Sequence, residues 1–301
     1  MKILVTGSDG FIGSHVVEVL LRRGHEVRGL VQYNSRSDLG WLATLDRTLD
    51  TEHLEIEFGD VRDPGRVREV LLGCDSVINL AALIAIPYSY AAPTSYVETN
   101  VLGTLNLLEA ARSQKLSRFV QLSTSEVYGS AVKVPMDENH PLSAQSPYAA
   151  TKIASDQLAI AYFRSFDVPV VVARPFNAFG PRQSSRAVIP TVILQALSGS
   201  GIIRLGETES TRDYTFVSDL AEVLADIVQS SVGIGEVYNL GSGFEISVGQ
   251  LVSEVAHIYG QELVTENHSD RRRPSKSEVT RLYSESSKAS AAFGWNTSSV
   301  P

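Results

Sequence analysis

The chain is poor in sulfur and has no long apolar run. Cys74 is its one cysteine, which excludes an intrachain disulfide. Placed after Leu72-Gly73 and before Val77-Ile78, it reads as a small buried residue. No apolar stretch approaches the roughly 18 residues of a membrane span. Met1-Lys2-Ile3-Leu4-Val5 already reads as a strand and leaves no room for a signal peptide, so a cytoplasmic protein is expected. The six histidines show no ligand spacing, and no metal is expected. Low-complexity tracts and internal repeats are lacking as well. A net charge of -8 argues against non-specific nucleic-acid binding, though it leaves room for a local basic pocket. What remains is 301 residues, 43% hydrophobic and 20% charged, enough for a large core and a second lobe.

Strand and helix signals alternate through the first half. Apolar runs at Ile3–Val5, Val27–Val31, Leu54–Phe58, Val77–Leu80, Phe119–Leu122 and Val168–Ala173 read as strands. Ile12, Val16, Val17, Leu20 and Leu21 form one helical stripe that stops at Arg22-Arg23-Gly24. Further helices fit Pro64–Leu72, Tyr96–Ser113 and Tyr148–Phe166, and after Arg174 the rhythm changes to loops with helices at 189–198 and 218–230. This alternation predicts an α/β fold, a Rossmann-type doubly wound parallel sheet with a smaller C-terminal substrate-binding lobe. The expected division is 1–173 with a returning segment about 211–243 for the sheet, and 174–210 with 244–301 for the lobe. No closing helix is read at Gly294-Trp295-Asn296-Thr297, so the natural C-terminus is expected to extend further.

Gly7-x-x-Gly10-x-x-Gly13 falls between the first strand and the first helix. Gly7 allows a tight turn, Gly10 lets backbone approach a pyrophosphate, and Gly13 lets helix and strand pack closely. The pyrophosphate then meets the helix N-terminus, where free N–H groups favour negative charge. An acidic ribose partner is due about 20 residues on, yet no Asp or Glu occurs between Val27 and Ser37. Asn34, Ser35 and Arg36 offer an amide, a hydroxyl and a guanidinium that suit a 2′-phosphate, so NADP is favoured over NAD; the alternative is an Arg36 facing solvent. Asp60, in Gly59-Asp60-Val61, either meets the adenine or caps the next helix. Phe11, Ile12, Val61, Leu80, Ala81 and Ala82 complete the expected cofactor contacts.

Tyr148-Ala-Ala-Thr-Lys152 places a phenol and an ammonium one helical turn apart on one face. The ammonium favours phenolate and is expected to draw the tyrosine down from about 10 toward neutrality. The result is a base that takes a hydroxyl proton while a nicotinamide takes the hydride.

Six motifs then fall in order: Gly7 to Gly13, Asn79-Leu-Ala-Ala82, Ser123-Thr-Ser-Glu-Val-Tyr-Gly129, Tyr148-x-x-x-Lys152, Arg174-Pro-Phe-Asn177 and Arg212-Asp-Tyr214. Together they resemble the extended short-chain dehydrogenase/reductase superfamily, in its nucleotide-sugar epimerase/dehydratase branch. Ala85-Ile-Pro-Tyr-Ser-Tyr90, the run Arg182 to Pro190, Tyr33-Asn-Ser35 and the run Pro274 to Val279 are most similar to bacterial nucleotide-hexosamine 4,6-dehydratases. The resemblance implies that Thr124 shares the substrate O4 proton with Tyr148 and that Lys152 bonds the nicotinamide ribose. Glu126 then takes the C5 proton made acidic by a C4 ketone; otherwise it only bonds backbone. Loss of the C6 hydroxyl and return of the hydride to C6 follow. Many glucose-type dehydratases of the branch carry an Asp before this Glu to protonate the leaving hydroxyl, where this chain has Ser125, so the resemblance implies that Glu126 serves both steps here.

On the substrate side the resemblance implies Ser125, Asn177, Arg182, Arg212 and Arg273, with Arg271 and Arg272 facing solvent. Asn100 orients the Tyr-Lys helix. Tyr88 and Tyr90 either border the sugar or pack under a loop. Helices 96–113 and 148–166 are apolar beyond one stripe, with Leu105, Leu107 and Leu108, and imply a homodimer. The expected activity is that of a lyase turning a nucleotide-activated, N-acetylated hexose into its 4-keto-6-deoxy form. Alternatives are a 4-epimerase or uronate decarboxylase on the same scaffold, and a dinucleotide sensor without turnover.

Overall fold

In a computed structural model, which describes residues 1–46, 48–268 and 274–297, β1 (Lys2–Thr6) is an interior strand of a seven-stranded parallel sheet. Its alternate side chains feed two cores: Ile3 and Val5 face one side, Leu4 the other. That two-sided burial is why the strands read as continuous apolar runs. The sheet order is β10 (Val237–Leu240), β6 (Val170–Pro175), β5 (Arg118–Leu122), β4 (Ser76–Asn79), β1, β2 (Glu26–Gln32), β3 (Leu54–Gly59). The order reverses direction beside β1, so the carboxyl ends of β1 and β4 open a crevice there.

On one face pack α1 (Phe11–Arg22) and α8 (Val217–Gln229), with Val16, Val17, Leu20, Leu220 and Leu224 in the core. On the other lie α2 (Pro64–Leu71), α5 (Gly103–Gln114) and α6 (Pro147–Phe166), contributing Val67, Leu107, Leu108 and Ala159. The expected helix 96–113 is not one regular element. Its start is α4 (Pro93–Tyr96), which follows α3 (Ile86–Ala91), and residues Val97–Leu102 are π-helical before α5 begins. The wider turn accommodates Asn100, whose amide points inward rather than to solvent.

The second lobe has its own small sheet. β9 (Thr211–Phe216) pairs with β7 (Asn177–Phe179), β11 (Glu245–Ser247) and β13 (Arg281–Leu282). Beside it, β8 (Ile202–Leu205) pairs with β12 (Val264–Asn267), covered by α7 (Val188–Leu197) and α9 (Val248–Tyr259). Within 211–243, α8 and β10 join the large sheet while β9 belongs to the small one. Asp213, fully buried on β9, ties the lobe together by accepting from the backbone N–H of Ser242 at 2.7 Å, Gly243 at 3.0 Å and Ser284 at 3.2 Å. The chain does have a late helix, α10 (Ser287–Phe293), capped by Gly294 in a left-handed conformation and pinned by buried Trp295, whose indole N–H donates to the Gly241 carbonyl at 2.9 Å. Its Ser-Ala-rich sequence lacks the apolar periodicity that would have marked it. No helix among the described residues is long and apolar enough to cross a membrane.

Candidate active site

Thr6 and Gly7 set the cofactor side of the crevice. The Thr6 hydroxyl accepts from the N–H of Leu80 at 3.1 Å and of Ala81 at 3.0 Å, and donates to Asn79 Oδ1 at 2.8 Å. It thereby locks the ends of β1 and β4 together. Gly7 has φ +61°, and a Cβ there would lie 3.1 Å from the Ala81 backbone. A Cβ on Gly13 would come within 2.1 Å of the Gly7 carbonyl oxygen, so the turn and the helix meet only because both lack side chains. The α1 N-terminus at Gly10, Phe11 and Ile12 has no side-chain cap and no acidic residue in its first turn. Its N–H groups and dipole are left for an anion.

Next to the turn a cavity of about 470 Å³ is lined by Asp9, Asn34, Ser35, Arg36, Asp38 and Gly40. The three residues expected to meet a ribose are there, but Asn34 is already engaged. Its amide oxygen accepts from the N–H of Arg36 and Asp38, and its nitrogen donates to the carbonyls of Gln32 and Asp38. Two carboxylates line the same cavity. Burial and the facing charge of Asp38 hold the Asp9 carboxyl above its usual range. Asp9 lies inside the glycine turn, and Asp38 falls just past the stretch searched for an acid, so both escaped the sequence reading. Asp60 does not cap the next helix; Asp63 does, accepting from the N–H of Gly65 and Arg66. The Asp60 carboxylate instead accepts from its own turn, from the Arg62 N–H at 2.9 Å and its guanidinium at 2.6 Å. Val61 is buried against Gly103, where a Cβ would come within 2.7 Å of it.

The groups expected to react converge at the carboxyl end of β5. Thr124 caps the turn Ser125–Tyr128, its hydroxyl accepting from the Glu126 N–H at 3.2 Å, and both Ser125 and Glu126 are buried there. Ser146 caps α6 and Pro147 opens it, which places Tyr148 in the first turn with its phenol hydrogen-bonded to Thr124. The Tyr96 ring meets Tyr148 edge-on at 6.3 Å, and the Tyr96 hydroxyl donates to the Ala85 carbonyl at 2.5 Å. Lys152 Nζ donates to the Leu122 carbonyl at 2.6 Å. Asn100 braces this helix: its amide donates to Thr151 Oγ1 at 3.0 Å and bonds Leu83 on both sides, while its carbonyl accepts from Ser155.

One expectation is corrected. In the protein alone Lys152 does not draw the Tyr148 phenol down. Burial raises the phenol well above its usual value, the Glu126 charge adds to this, and only the Thr124 hydrogen bond opposes it. Burial also lowers the Lys152 ammonium to about 8, against the pull of Asp156. Both groups are so fully enclosed that loss of solvation outweighs their helical adjacency.

On the substrate side, Asn177 Oδ1 is buried without a hydrogen-bond partner, beside Tyr214 in the β7–β9 register. Buried Arg212 donates to the Thr211 carbonyl at 2.9 Å and pairs with Glu278 at 3.5 Å. Arg182 faces the other way: in a left-handed conformation, φ 70°, it donates to Ser14 Oγ at 3.2 Å and pairs with Glu18 at 2.5 Å, binding its loop to α1. Arg273, like Arg271 and Arg272, lies outside the described residues. Tyr90 and Tyr88 are both exposed; Tyr90 shares a 2.5 Å hydrogen bond with Ser277 that brings 274–279 against α3, and the Tyr88 ring lies 6.2 Å from that of Tyr96. Burial raises the Tyr96 phenol, and Arg186, not singled out from the sequence, lies near enough for its charge to oppose that rise in part.

Comparison with known proteins agrees with this geometry. Residues 4–299 match the model of the family described as GDP-mannose 4,6 dehydratase. A low-salt glycan biosynthesis protein of Haloferax volcanii is 35% identical over 86% of this chain and 83% of its own length. The dTDP-glucose 4,6-dehydratase of Streptomyces niveus is 35% identical over 86% of this chain and 78% of its own. Among solved structures, a dTDP-glucose 4,6-dehydratase of Streptomyces venezuelae with NAD bound superposes with a TM-score of 0.87 at 31% identity, covering 100% of this chain and 93% of the other. A UDP-glucuronic acid 4-epimerase of Bacillus cereus, also with NAD, gives 0.90 at 27% identity, covering 100% and 95%. The chain therefore belongs to the GDP-mannose 4,6 dehydratase family, in the nucleotide-sugar branch of the extended short-chain dehydrogenase/reductase superfamily, and is an enzyme.

Proposed function

We propose that the protein is a nucleotide-sugar 4,6-dehydratase that forms a 4-keto-6-deoxy nucleotide-hexose, with an N-acetylated hexosamine as the sugar. The observation that carries this reading is Glu126, buried in the turn that Thr124 caps and close enough for its charge to act on the Tyr148 phenol. Oxidation at C4 needs only Tyr148, Thr124 and Lys152; a carboxylate beside them gives the C5 proton somewhere to go.

The cradle fits a nicotinamide dinucleotide, with Gly7, Gly10, Phe11, Ile12 and Gly13 around the diphosphate, Leu80, Ala81 and Ala82 along the β4 end, and Val61 near the adenine. When bound, that group would supply the acceptor for the C4 hydride and the donor for its return to C6. Tyr148 takes the O4 proton as the phenolate, its oxygen hydrogen-bonded to Thr124. Lys152 supplies positive charge near the phenol and a donor for the nicotinamide ribose. Glu126 removes the C5 proton and, with no Asp in the place of Ser125, delivers a proton to the departing C6 hydroxyl. Asn177 and Arg212 hold the substrate diphosphate. We read the ribose cavity as fitting NAD: a 2′-phosphate there would meet the carboxylates of Asp9 and Asp38. A homodimer through α6 and the π-helical segment that leads into α5 fits the exposed Phe166 on the first and the exposed Val97 and Leu102 on the second.

Incubation with a panel of nucleotide-sugars, N-acetylated and not, followed by mass spectrometry of the products, tests the reaction. A product lighter by one water from an N-acetylhexosamine substrate supports the proposal. An unchanged mass with inverted C4 identifies an epimerase, and loss of carbon dioxide from a uronate identifies a decarboxylase.

A further inference from the structure

Lys152 and Asp156 lie one turn apart on α6, and both reach the end of β5. Lys152 Nζ bonds the Leu122 carbonyl, and the next residue, Ser123, donates its hydroxyl to Asp156 Oδ2 at 2.8 Å. The same Asp156 oxygen accepts from Arg174 Nε at 3.0 Å, while Asp156 Oδ1 is buried with no hydrogen-bond partner. Arg174 continues the network, donating to the Tyr128 hydroxyl at 2.9 Å, and Tyr128 donates to Asn239 Oδ1 at 2.7 Å. The Asp156 and Arg174 side chains are 0% and 3% exposed.

A buried ion pair of this kind is a poor device for stability, because desolvating both charges offsets most of their attraction. An apolar pair would hold α6 on β6 as well and would leave no orphan carboxylate oxygen. Asp156 is the charged group that acts on Lys152, and Arg174 from β6 pairs with Asp156 from behind; Glu126 from the Ser125–Tyr128 turn and Tyr96 from α4 act on the neighbouring Tyr148 instead. The Asp156 charge opposes the loss of the Lys152 proton on burial; burial raises the Asp156 carboxyl in turn, and Arg174 and Ser123 oppose that rise.

We propose that Asp156 is a positioning residue that keeps Lys152 charged at the reaction centre, with Arg174 and Ser123 as the partners that keep Asp156 itself ionised. Arg174 also bonds Tyr128, at the end of the turn bearing Glu126, so one guanidinium joins the lysine's counter-charge to the segment carrying the carboxylate. The proposal rests on the dehydratase reading only in that Lys152 must be protonated for turnover.

The test is the pH dependence of kcat/KM for wild type, Asp156→Asn and Asp156→Glu on the nucleotide-sugar that wild type converts. Removing the counter-charge is expected to move the alkaline limb about 1 pH unit lower, with Asp156→Glu restoring it. Where Asp156→Asn does not fold, Asp156→Asn with Arg174→Gln removes the pair as a unit and is expected to give a smaller shift in the same direction. An alkaline limb unmoved in the folded variant overturns the proposal and leaves Asp156 as a purely structural residue. Absence of turnover by wild type on every nucleotide-sugar instead overturns the dehydratase reading.

Discussion

Tyr148 and Lys152 share one face of α6, yet each is held by the end of β5 rather than by the other. The phenol bonds Thr124, and the ammonium bonds the Leu122 carbonyl at 2.6 Å. Enclosure of both groups sets their ionisation more than their proximity does, and this shapes how the activity responds to pH and to mutation.

Lys152 loses its proton at about 8 in the folded protein, against 10.5 for an ordinary lysine. The rate should therefore fall as pH rises through about 8, read as the alkaline limb of kcat/KM. Stability runs the other way. Between about 8 and 10.5 the unfolded chain holds a proton that the folded chain has lost, so this group's contribution to stability rises with pH across that window. Urea unfolding of wild type and Lys152→Met at pH 7.5 and 9.5 checks the sign, since the difference between them should depend on pH in that sense.

Tyr148→Phe keeps the ring that meets Tyr96 and removes the hydroxyl. Turnover should fall roughly 10²- to 10⁴-fold, while dinucleotide binding measured by calorimetry stays close to wild type. Undiminished turnover would remove Tyr148 from the chemistry.

The Asp9 and Asp38 carboxylates predict that NADP binds at least about tenfold more weakly than NAD, a difference of roughly 1.4 kcal/mol. Asp38→Asn should narrow the gap. Calorimetric titration with both dinucleotides measures it without any sugar substrate.

Asp213→Ala leaves the N–H groups of Ser242, Gly243 and Ser284 without their acceptor inside the second lobe. Loss of about 3 kcal/mol is expected, read as a lower urea midpoint at unchanged slope.

Much of this site is legible in order of residues because its parts obey local rules. The glycine turn is fixed by where Cβ atoms cannot fit, and the four-residue step from Tyr148 to Lys152 fixes a shared helical face. Segments read less well where the deciding partner is distant in sequence. Arg182 is read as a substrate ligand, and its ion-pair partner in the fold, Glu18, lies far from it in sequence. The 211–243 segment divides between two sheets, because β9 finds β7, β11 and β13 while β10 finds β6. Asp60 and Asp63 are near neighbours, and only the turn geometry tells which of them caps α2.

The sequence by itself determined the parallel sheet, the glycine turn after its first strand and the shared helical face of Tyr148 and Lys152, because periodicity and spacing act over a few residues. Only the tertiary structure decided their ionisation and loyalties. Burial lifts the Tyr148 phenol and lowers the Lys152 ammonium, Asp156 answers to Arg174, and Asp9 meets Asp38. Such energies depend on which chains close around a charge and exclude water, and no single stretch of sequence carries that information.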